Sequence, residues 1–186
     1  MVPIPSLWLP IVLSAVFVFF ASWAVHMLLP WHKGDYRKLS AEDDVADALR
    51  KFAIPPGDYM LPCGAGPESM KDPKFLEKFR QGPVLTMTVM QSGSMNIGPS
   101  LAQWLGFCLV VSLFAAYVVS RALGPGDSYP HVFRFAGVTA FSGYALAQWQ
   151  ESIWHQRAWG TTVRNTLDGL LYGLITAGTF GWLWPV

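Results

Sequence analysis

Apolar residues are concentrated in four long stretches of the chain, and one polar segment separates the first stretch from the second. The stretches are residues 7–29, 101–120, 131–150 and about 166–184. Each approaches or exceeds the ~20 residues that an α-helix needs to cross the hydrocarbon core of a bilayer. The pattern predicts a membrane all-α fold, in which four transmembrane helices form a bundle.

The expected organisation has three parts. Residues 1–30 form the first transmembrane helix, and residues 31–100 form a small extramembrane α/β domain inserted between helices 1 and 2. Residues 101–186 form the remaining helices, at 101–121, 131–150 and 164–185. The first stretch, which is 23 residues long and has no basic residue before it, is expected to be an uncleaved anchor, because a signal peptide has a shorter apolar core of ~7–15 residues.

The inserted segment has the pattern of a small folded domain in the order helix, strand, helix, strand. Acidic residues 42–44 followed by an apolar face predict a first helix that ends before Pro55, with Ser40 and Asp43 at the spacing of a capping box. Residues 57–62 and the alternating residues 85–89 predict the two strands. Such a domain has a small core, so it is expected to lean on the membrane surface, on a neighbouring loop or on another protein.

Composition argues against two features, a nucleic-acid-binding surface and a disulfide. The 186 residues are 52% hydrophobic and only 13% charged, against about 25% charged residues in soluble domains, and the net charge is +1. This balance provides no basic surface for nucleic acid. The two cysteines, Cys63 in the polar segment and Cys108 within the second span, are too far apart in the predicted topology to form a disulfide.

The basic residues near the predicted membrane ends indicate an orientation. They are Lys33, Arg37, Lys38, Arg157 and Arg164 on the side of the inserted domain, and Arg121 and Arg134 on the other side. Cytoplasmic loops carry the excess of Lys and Arg. The chain is therefore expected to be a multi-pass protein of the cell membrane, with the inserted domain in the cytoplasm.

Small residues recur every four positions in the fourth span, at Gly169, Gly173, Ala177 and Gly181. Such a stripe lets two helix backbones approach closely within a membrane. The third span has a looser version over residues 136–147. Two interpretations stay open: the third and fourth spans pack against each other within the chain, or the fourth span also binds a partner subunit.

Ionisable residues near the membrane ends are the candidates for chemistry. Glu151 and His155 are four residues apart, as are Arg164 and Asp168, so each pair can share one helical face. Asp168 lies about one turn inside the fourth span, where a charge is costly, and Arg164 is its expected ion-pair partner. The candidate catalytic residues are Glu151, His155 and Asp168.

No cofactor or metal is predicted, because the four histidines show no ligand spacing and no nucleotide-binding or hydrolase motif is present. The leading hypothesis is that the protein is an accessory or assembly subunit of a membrane complex. It would contact the lipid bilayer and, in addition, either a membrane-protein partner or a second copy of itself. The alternative is a membrane enzyme or redox-linked protein with an interfacial site under the polar domain. Such a site would draw on His26, His32, Glu151, His155, Arg164 and Asp168. A small channel or transporter is a third hypothesis.

Overall fold

A computed structural model describes all residues 1–186, and the fold is mostly helical. The helices are α1 (Trp8–Met27), α2 (Glu42–Arg50), α3 (Pro73–Gln81), α4 (Gly98–Ala122), α5 (Tyr129–Ala145), α6 (Trp149–Trp154) and α7 (Trp159–Trp182). The strands are β1 (Gly57–Leu61) and β2 (Leu85–Val89). The chain divides into two compact units, residues 1–37 with 96–186 and residues 38–95, which we call the helical unit and the inserted unit.

Two helices of the helical unit are long and apolar enough to cross a membrane. They are α1, with the short turn of helix before it (Ile4–Met27), and α4 (Gly98–Ala122). The third and fourth predicted spans also form helices, but α5 has only 17 residues, and α5 and α7 are both less apolar than α1 and α4. The sequence predicted four spans, and length and hydropathy support two of them.

The helices of this unit run antiparallel to their neighbours. Between α1 and α4, Ser14 donates a hydrogen bond to Ser112 (Oγ–Oγ 3.0 Å), and the indole N–H of Trp104 donates to Ser22 Oγ (2.7 Å). Small buried hydroxyls therefore join the two helices at two levels, since each side chain finds a partner that replaces water.

The small residues of α7 face α5 along its length. A Cβ added to Gly169 would lie 2.7 Å from the Cβ of Ala145, near the end of α5, whereas one added to Gly181 would lie 2.6 Å from the ring of Tyr129, at its beginning. Between them, Gly173 lies close to the backbone of α5, and Ala177 meets Gly137. The face that carries the stripe is thus filled by another helix of the same chain.

Two buried clusters form the core of the helical unit. The first joins the chain termini to the middle helices through Val2, Leu7, Ala115, Ala116, Val119, Val132, Ala136, Phe180 and Trp184. The second contains Ala15, Val18, Cys108, Val111, Ala140, Tyr144 and Tyr172. Because Trp184 packs with Val2, the carboxyl end of α7 lies beside the amino end of α1.

The inserted unit has the predicted order of elements. Strands β1 and β2 pair antiparallel, from Gly57 opposite Val89 to Leu61 opposite Leu85. The side chain of Asp72 caps α3 by accepting a hydrogen bond from the backbone N–H of Lys74 (3.0 Å). The predicted capping box of α2 is wrong, because the helix begins after Ala41 and no side chain caps it.

Candidate functional site

The end of α1 and the segment after it place two histidines side by side. The helix ends at Met27, and Pro30 begins a single 3-10 turn, Pro30–His32, which is a position where its missing N–H costs nothing. This turn brings His32 back over the last turn of α1. The rings of His26 and His32 are stacked, with centroids 4.4 Å apart and planes 3° from parallel.

His32 lies between two carboxylates. Its Nδ1 is 2.6 Å from Oδ2 of Asp35, and its Nε2 is 2.8 Å from Oδ2 of Asp168 in α7. The three side chains are largely buried, with exposed fractions of 12% for His32, 9% for Asp35 and 7% for Asp168. Ionised carboxylates only accept hydrogen bonds, so both ring nitrogens donate when both acids are ionised, and the ring is then an imidazolium.

Arg164 completes the charge balance of this group. Its Nε donates to Oδ1 of Asp35 (2.9 Å), a second guanidinium nitrogen binds the same oxygen, and that nitrogen also contacts Thr161 Oγ1 (3.3 Å). Arg164 and His32 thus face the carboxylates of Asp35 and Asp168. We call these four residues together with His26 the polar cluster.

The predicted ion pair between Arg164 and Asp168 is not formed. Although the two residues are one turn apart on α7, Arg164 binds Asp35 and Asp168 binds His32. The segment after α1 lies across the beginning of α7 and supplies a carboxylate and an imidazole. Two nitrogens of the Arg164 guanidinium bind one oxygen of Asp35, so this contact takes the place of the pair predicted within α7.

The electrostatics of Asp35 follow from these contacts. Burial alone would raise the pKa of its carboxyl, but the hydrogen bonds from His32 and Arg164, together with the charge of Arg164, outweigh burial and hold the pKa below its usual value. Asp35 therefore stays ionised at neutral pH, and it fixes the ring of His32 from the Nδ1 side.

One ring nitrogen of His26, Nε2, has no hydrogen-bond partner, because only Nδ1 is bonded. Its Nδ1 lies 2.9 Å from the backbone carbonyl oxygen of Ser22, which only accepts, so Nδ1 carries the proton. The neutral ring then has a lone pair at Nε2. One ligand atom from each of His26, His32 and Asp168 lies within 4.8 Å of the others.

An apolar groove of about 400 Å³ adjoins the polar cluster between α1 and the beginning of α4. His26 lines the groove and stacks on His32, so it belongs to both features. The other lining residues are Phe19, Ser22, Trp23, Met27, Ile97, Leu101 and Trp104. An apolar cavity with a few polar groups at one end is the usual form of a small-molecule site.

Two of the predicted catalytic residues lie outside the cluster. Glu151 is in α6 and His155 follows it, and both are exposed with no side-chain hydrogen bond to any cluster residue. Asp35, which completes the cluster, was not among the site residues predicted from the sequence. Its position three residues after His32, in the short polar run that follows a span, was the available signal.

The chain was also compared with known proteins. Neither the protein-family models, nor the curated proteins, nor the solved structures contain a match to it. The function must therefore be argued from the polar cluster and the groove.

Proposed function

We propose that this protein is a four-pass integral membrane protein, with α1, α4, α5 and α7 crossing the bilayer. The outward faces of all four helices carry large exposed apolar side chains, including Phe20, Phe114, Val138 and Leu174. Contiguous apolar surface of this kind is rare on soluble monomers. Lipid would cover it here.

The course of α7 supports the same topology. Asp168, near its beginning, binds His32 just after α1, and Trp184, just after its end, packs with Val2 before α1. The two helices therefore cover the same distance in opposite directions. If α1 crosses the bilayer, α7 crosses it as well, and α5 returns the chain between them.

The orientation remains the one that the charges predict. Lys33 and Arg37 follow α1 at the end that carries the polar cluster, and Arg121 and Arg134 lie at the other end. By the positive-inside rule, the polar cluster and the inserted unit lie on the cytoplasmic side of a cell membrane.

Within this bundle, we propose an enzyme site that acts on an amphiphilic molecule at the membrane surface. The observation that carries this proposal is the junction of the polar cluster with the apolar groove at His26. An acyl or isoprenoid chain fits the groove, since its walls are apolar and aromatic. The polar head of the same molecule would then lie against His26 and His32.

The cluster has groups suited to acid–base chemistry. His32 lies between the carboxylates of Asp35 and Asp168, and an imidazole held by carboxylates is a common general acid or base in enzymes. Asp35 positions the ring from Nδ1, and Arg164 in turn holds Asp35. The exposed His26 lines the groove, where a head group would meet it.

This proposal is tested by profiling membrane lipids and other amphiphiles in the cells that make the protein. The chromosomal copy is replaced by His32→Gln, His26→Gln or, as a matched control, His131→Gln. His131 pairs with Asp127 at the beginning of α5, away from the polar cluster. We expect a species to accumulate several-fold in the two cluster variants and to stay at the wild-type level in the control.

A second candidate function is that of an accessory subunit, which one observation favours. Pro62 is the only buried residue of the inserted unit, whose Leu49, Phe52 and Met90 side chains are all exposed. A partner that covered these residues would supply the core that the unit lacks. A stoichiometric partner in the particle purified in mild detergent, together with unchanged amphiphile profiles in both cluster variants, would favour this function over the enzyme.

A further inference from the structure

We propose that His26, His32 and Asp168 bind a divalent transition-metal ion. Their donor atoms already lie within 4.8 Å of one another, although the residues come from the end of α1, the turn after it and α7. Two imidazoles with one carboxylate are the ligands of catalytic zinc sites and of mononuclear iron sites, both of which keep a position open for water or substrate.

Both histidines are oriented from behind, as metal ligands usually are. Nδ1 of His26 donates to the carbonyl oxygen of Ser22 (2.9 Å), and Nδ1 of His32 is held by Asp35 (2.6 Å). Each bond leaves Nε2 as the nitrogen available to an ion. A carboxylate or carbonyl acceptor on the second ring nitrogen fixes the tautomer of a ligand histidine and raises its basicity.

The second shell extends one residue further. Asp35 is itself held by Arg164, whose Nε lies 2.9 Å from Oδ1. The carboxylate therefore has one oxygen for the histidine and one for the guanidinium. This chain of contacts keeps His32 in place whether or not an ion is bound.

The donor set selects the class of metal. Two imidazole nitrogens disfavour Mg²⁺ and Ca²⁺, which prefer oxygen ligands, and favour Zn²⁺ or Fe²⁺. Ligands of a tetrahedral ion with bonds of ~2.0–2.2 Å are roughly 3.4 Å apart. Nε2 of His32 and Oδ2 of Asp168, now 2.8 Å apart, would separate slightly. The ring of His26 would turn out of its stack on His32, because one ion cannot lie in the planes of two parallel rings.

Charge predicts what fills the open position. The ion would take the place of the contact between Nε2 of His32 and Oδ2 of Asp168. The doubly charged ion and Arg164 then face only the carboxylates of Asp35 and Asp168, which leaves one net positive charge. Hydroxide or an anionic head group would balance it, and the exposed His26 marks the open side.

An ion-pair network without metal would explain the contacts of His32 but would give the free nitrogen of His26 no role.

The two arrangements are distinguished with the full-length protein in detergent. The protein is stripped with a chelator and titrated with Co²⁺, which gives visible absorption bands when nitrogen ligands bind it. Zn²⁺ and Fe²⁺ are then added separately to displace it, and the metal content of protein from its own cells is measured by mass spectrometry.

We expect one Co²⁺ per chain and its displacement by Zn²⁺ or Fe²⁺. Binding should be weakened at least 100-fold by each of His26→Gln, His32→Gln and Asp168→Asn. Asp35→Asn should weaken it about 10–100-fold, because Asp35 orients His32 without contacting the ion. His131→Gln should bind as the wild type does. Because His26 is exposed and bonded only to its own helix, its variant should fold even if the Asp168 variant does not.

The site is excluded if Co²⁺ gives no bands, or if His26→Gln and His131→Gln bind equally. The inference deepens the proposed enzyme site, but binding is measured without a substrate. Stoichiometric metal with unchanged amphiphile profiles would overturn the enzyme function alone. Changed profiles in a protein that binds no metal would overturn the metal site alone.

Discussion

Asp35 shows how one residue after a span can hold several others in place. It accepts hydrogen bonds from His32 and Arg164, which come from separate parts of the chain, while its side chain is 9% exposed. Hydrogen bonds to charged groups contribute more to stability than neutral ones, at about 1.5–3 kcal/mol each. Removing this carboxylate should loosen the turn after α1 from the beginning of α7.

We therefore expect Asp35→Asn to lower the melting temperature in detergent by roughly 4–8 °C near neutral pH. The pKa of Asp35 is lowered in the folded protein, so its stabilisation is complete above the unfolded pKa of ~3.9 and disappears as the pH falls through the folded pKa. The melting temperatures of wild type and variant should thus begin to converge as the pH falls below about 4, and they should meet below the folded pKa. A difference that persisted undiminished in strong acid would mean that the carboxylate charge is not what stabilises the fold.

The buried hydroxyls of two tyrosines lead to a second prediction about single residues. The hydroxyls of Tyr144 and Tyr172 are buried without a hydrogen-bond partner, and their rings pack edge to face with centroids 5.5 Å apart. An unpaired buried hydroxyl costs free energy, so Tyr172→Phe and Tyr144→Phe should leave the melting temperature unchanged or raise it. Thermal unfolding in detergent measures this. A clear loss of stability in either variant would reveal a partner for the hydroxyl, such as a buried water.

At the scale of elements, the contact between α5 and α7 depends on glycines, which have no side chain to separate the two helices. At Gly169 an added Cβ would lie 2.7 Å from the Cβ of Ala145 and 3.2 Å from its Cα, so backbone as well as side chain would have to move. Overpacking of this kind typically costs about 1–3 kcal/mol. The same addition at Gly106 of α4 meets nothing within 4 Å.

These two glycines form a matched pair. Gly169→Ala should lower the melting temperature, whereas Gly106→Ala should be neutral or stabilising, because alanine favours a helix by up to about 1 kcal/mol over glycine. Gly173→Leu should be more severe than either, since the backbone of α5 lies 3.2 Å from the new Cβ. Equal melting temperatures for the two alanine variants would show that α5 and α7 do not pack as described.

Local patterns predicted the elements better than they predicted the partners between them. The alternation of Leu85, Met87 and Val89 with threonines indicated β2, and acidic residues 42–44 followed by an apolar face indicated α2. Both signals depend only on neighbours in sequence. The partner of Asp168 depends on how α1 and α7 pack, so spacing along α7 suggested Arg164 while the tertiary structure supplied His32.

The polar cluster was harder still to predict because its members are distant in sequence. His26 and His32 were recognised as residues near one membrane end, but stacking of their rings requires the 3-10 turn that begins at Pro30. Glu151 and His155 had the more regular spacing, yet they remain exposed. A spacing of four residues describes one helix, whereas this cluster is built across two helices and a turn.

At the scale of the whole molecule, the antiparallel course of the four long helices leads us to propose that α5 and α7 cross the same membrane as α1 and α4. The chain carries its own reporter, since Cys63 is exposed in the inserted unit and Cys108 is buried in α4. A membrane-impermeant maleimide applied to intact cells and to inverted vesicles should therefore label the wild type at Cys63 alone. By the charge distribution, labelling is expected only in inverted vesicles.

Two further cysteines, each placed in a Cys63→Ser background, distinguish four spans from two. Ser128→Cys lies between α4 and α5, and His155→Cys lies between α6 and α7, and both positions are exposed. With four spans, position 155 is labelled from the same side as Cys63, and position 128 from the opposite side. With only α1 and α4 in the membrane, positions 155 and 128 would both be labelled from the side opposite Cys63. That second result would place the beginning of α7 across the bilayer from the inserted unit, and His32 would then be unable to reach Asp168.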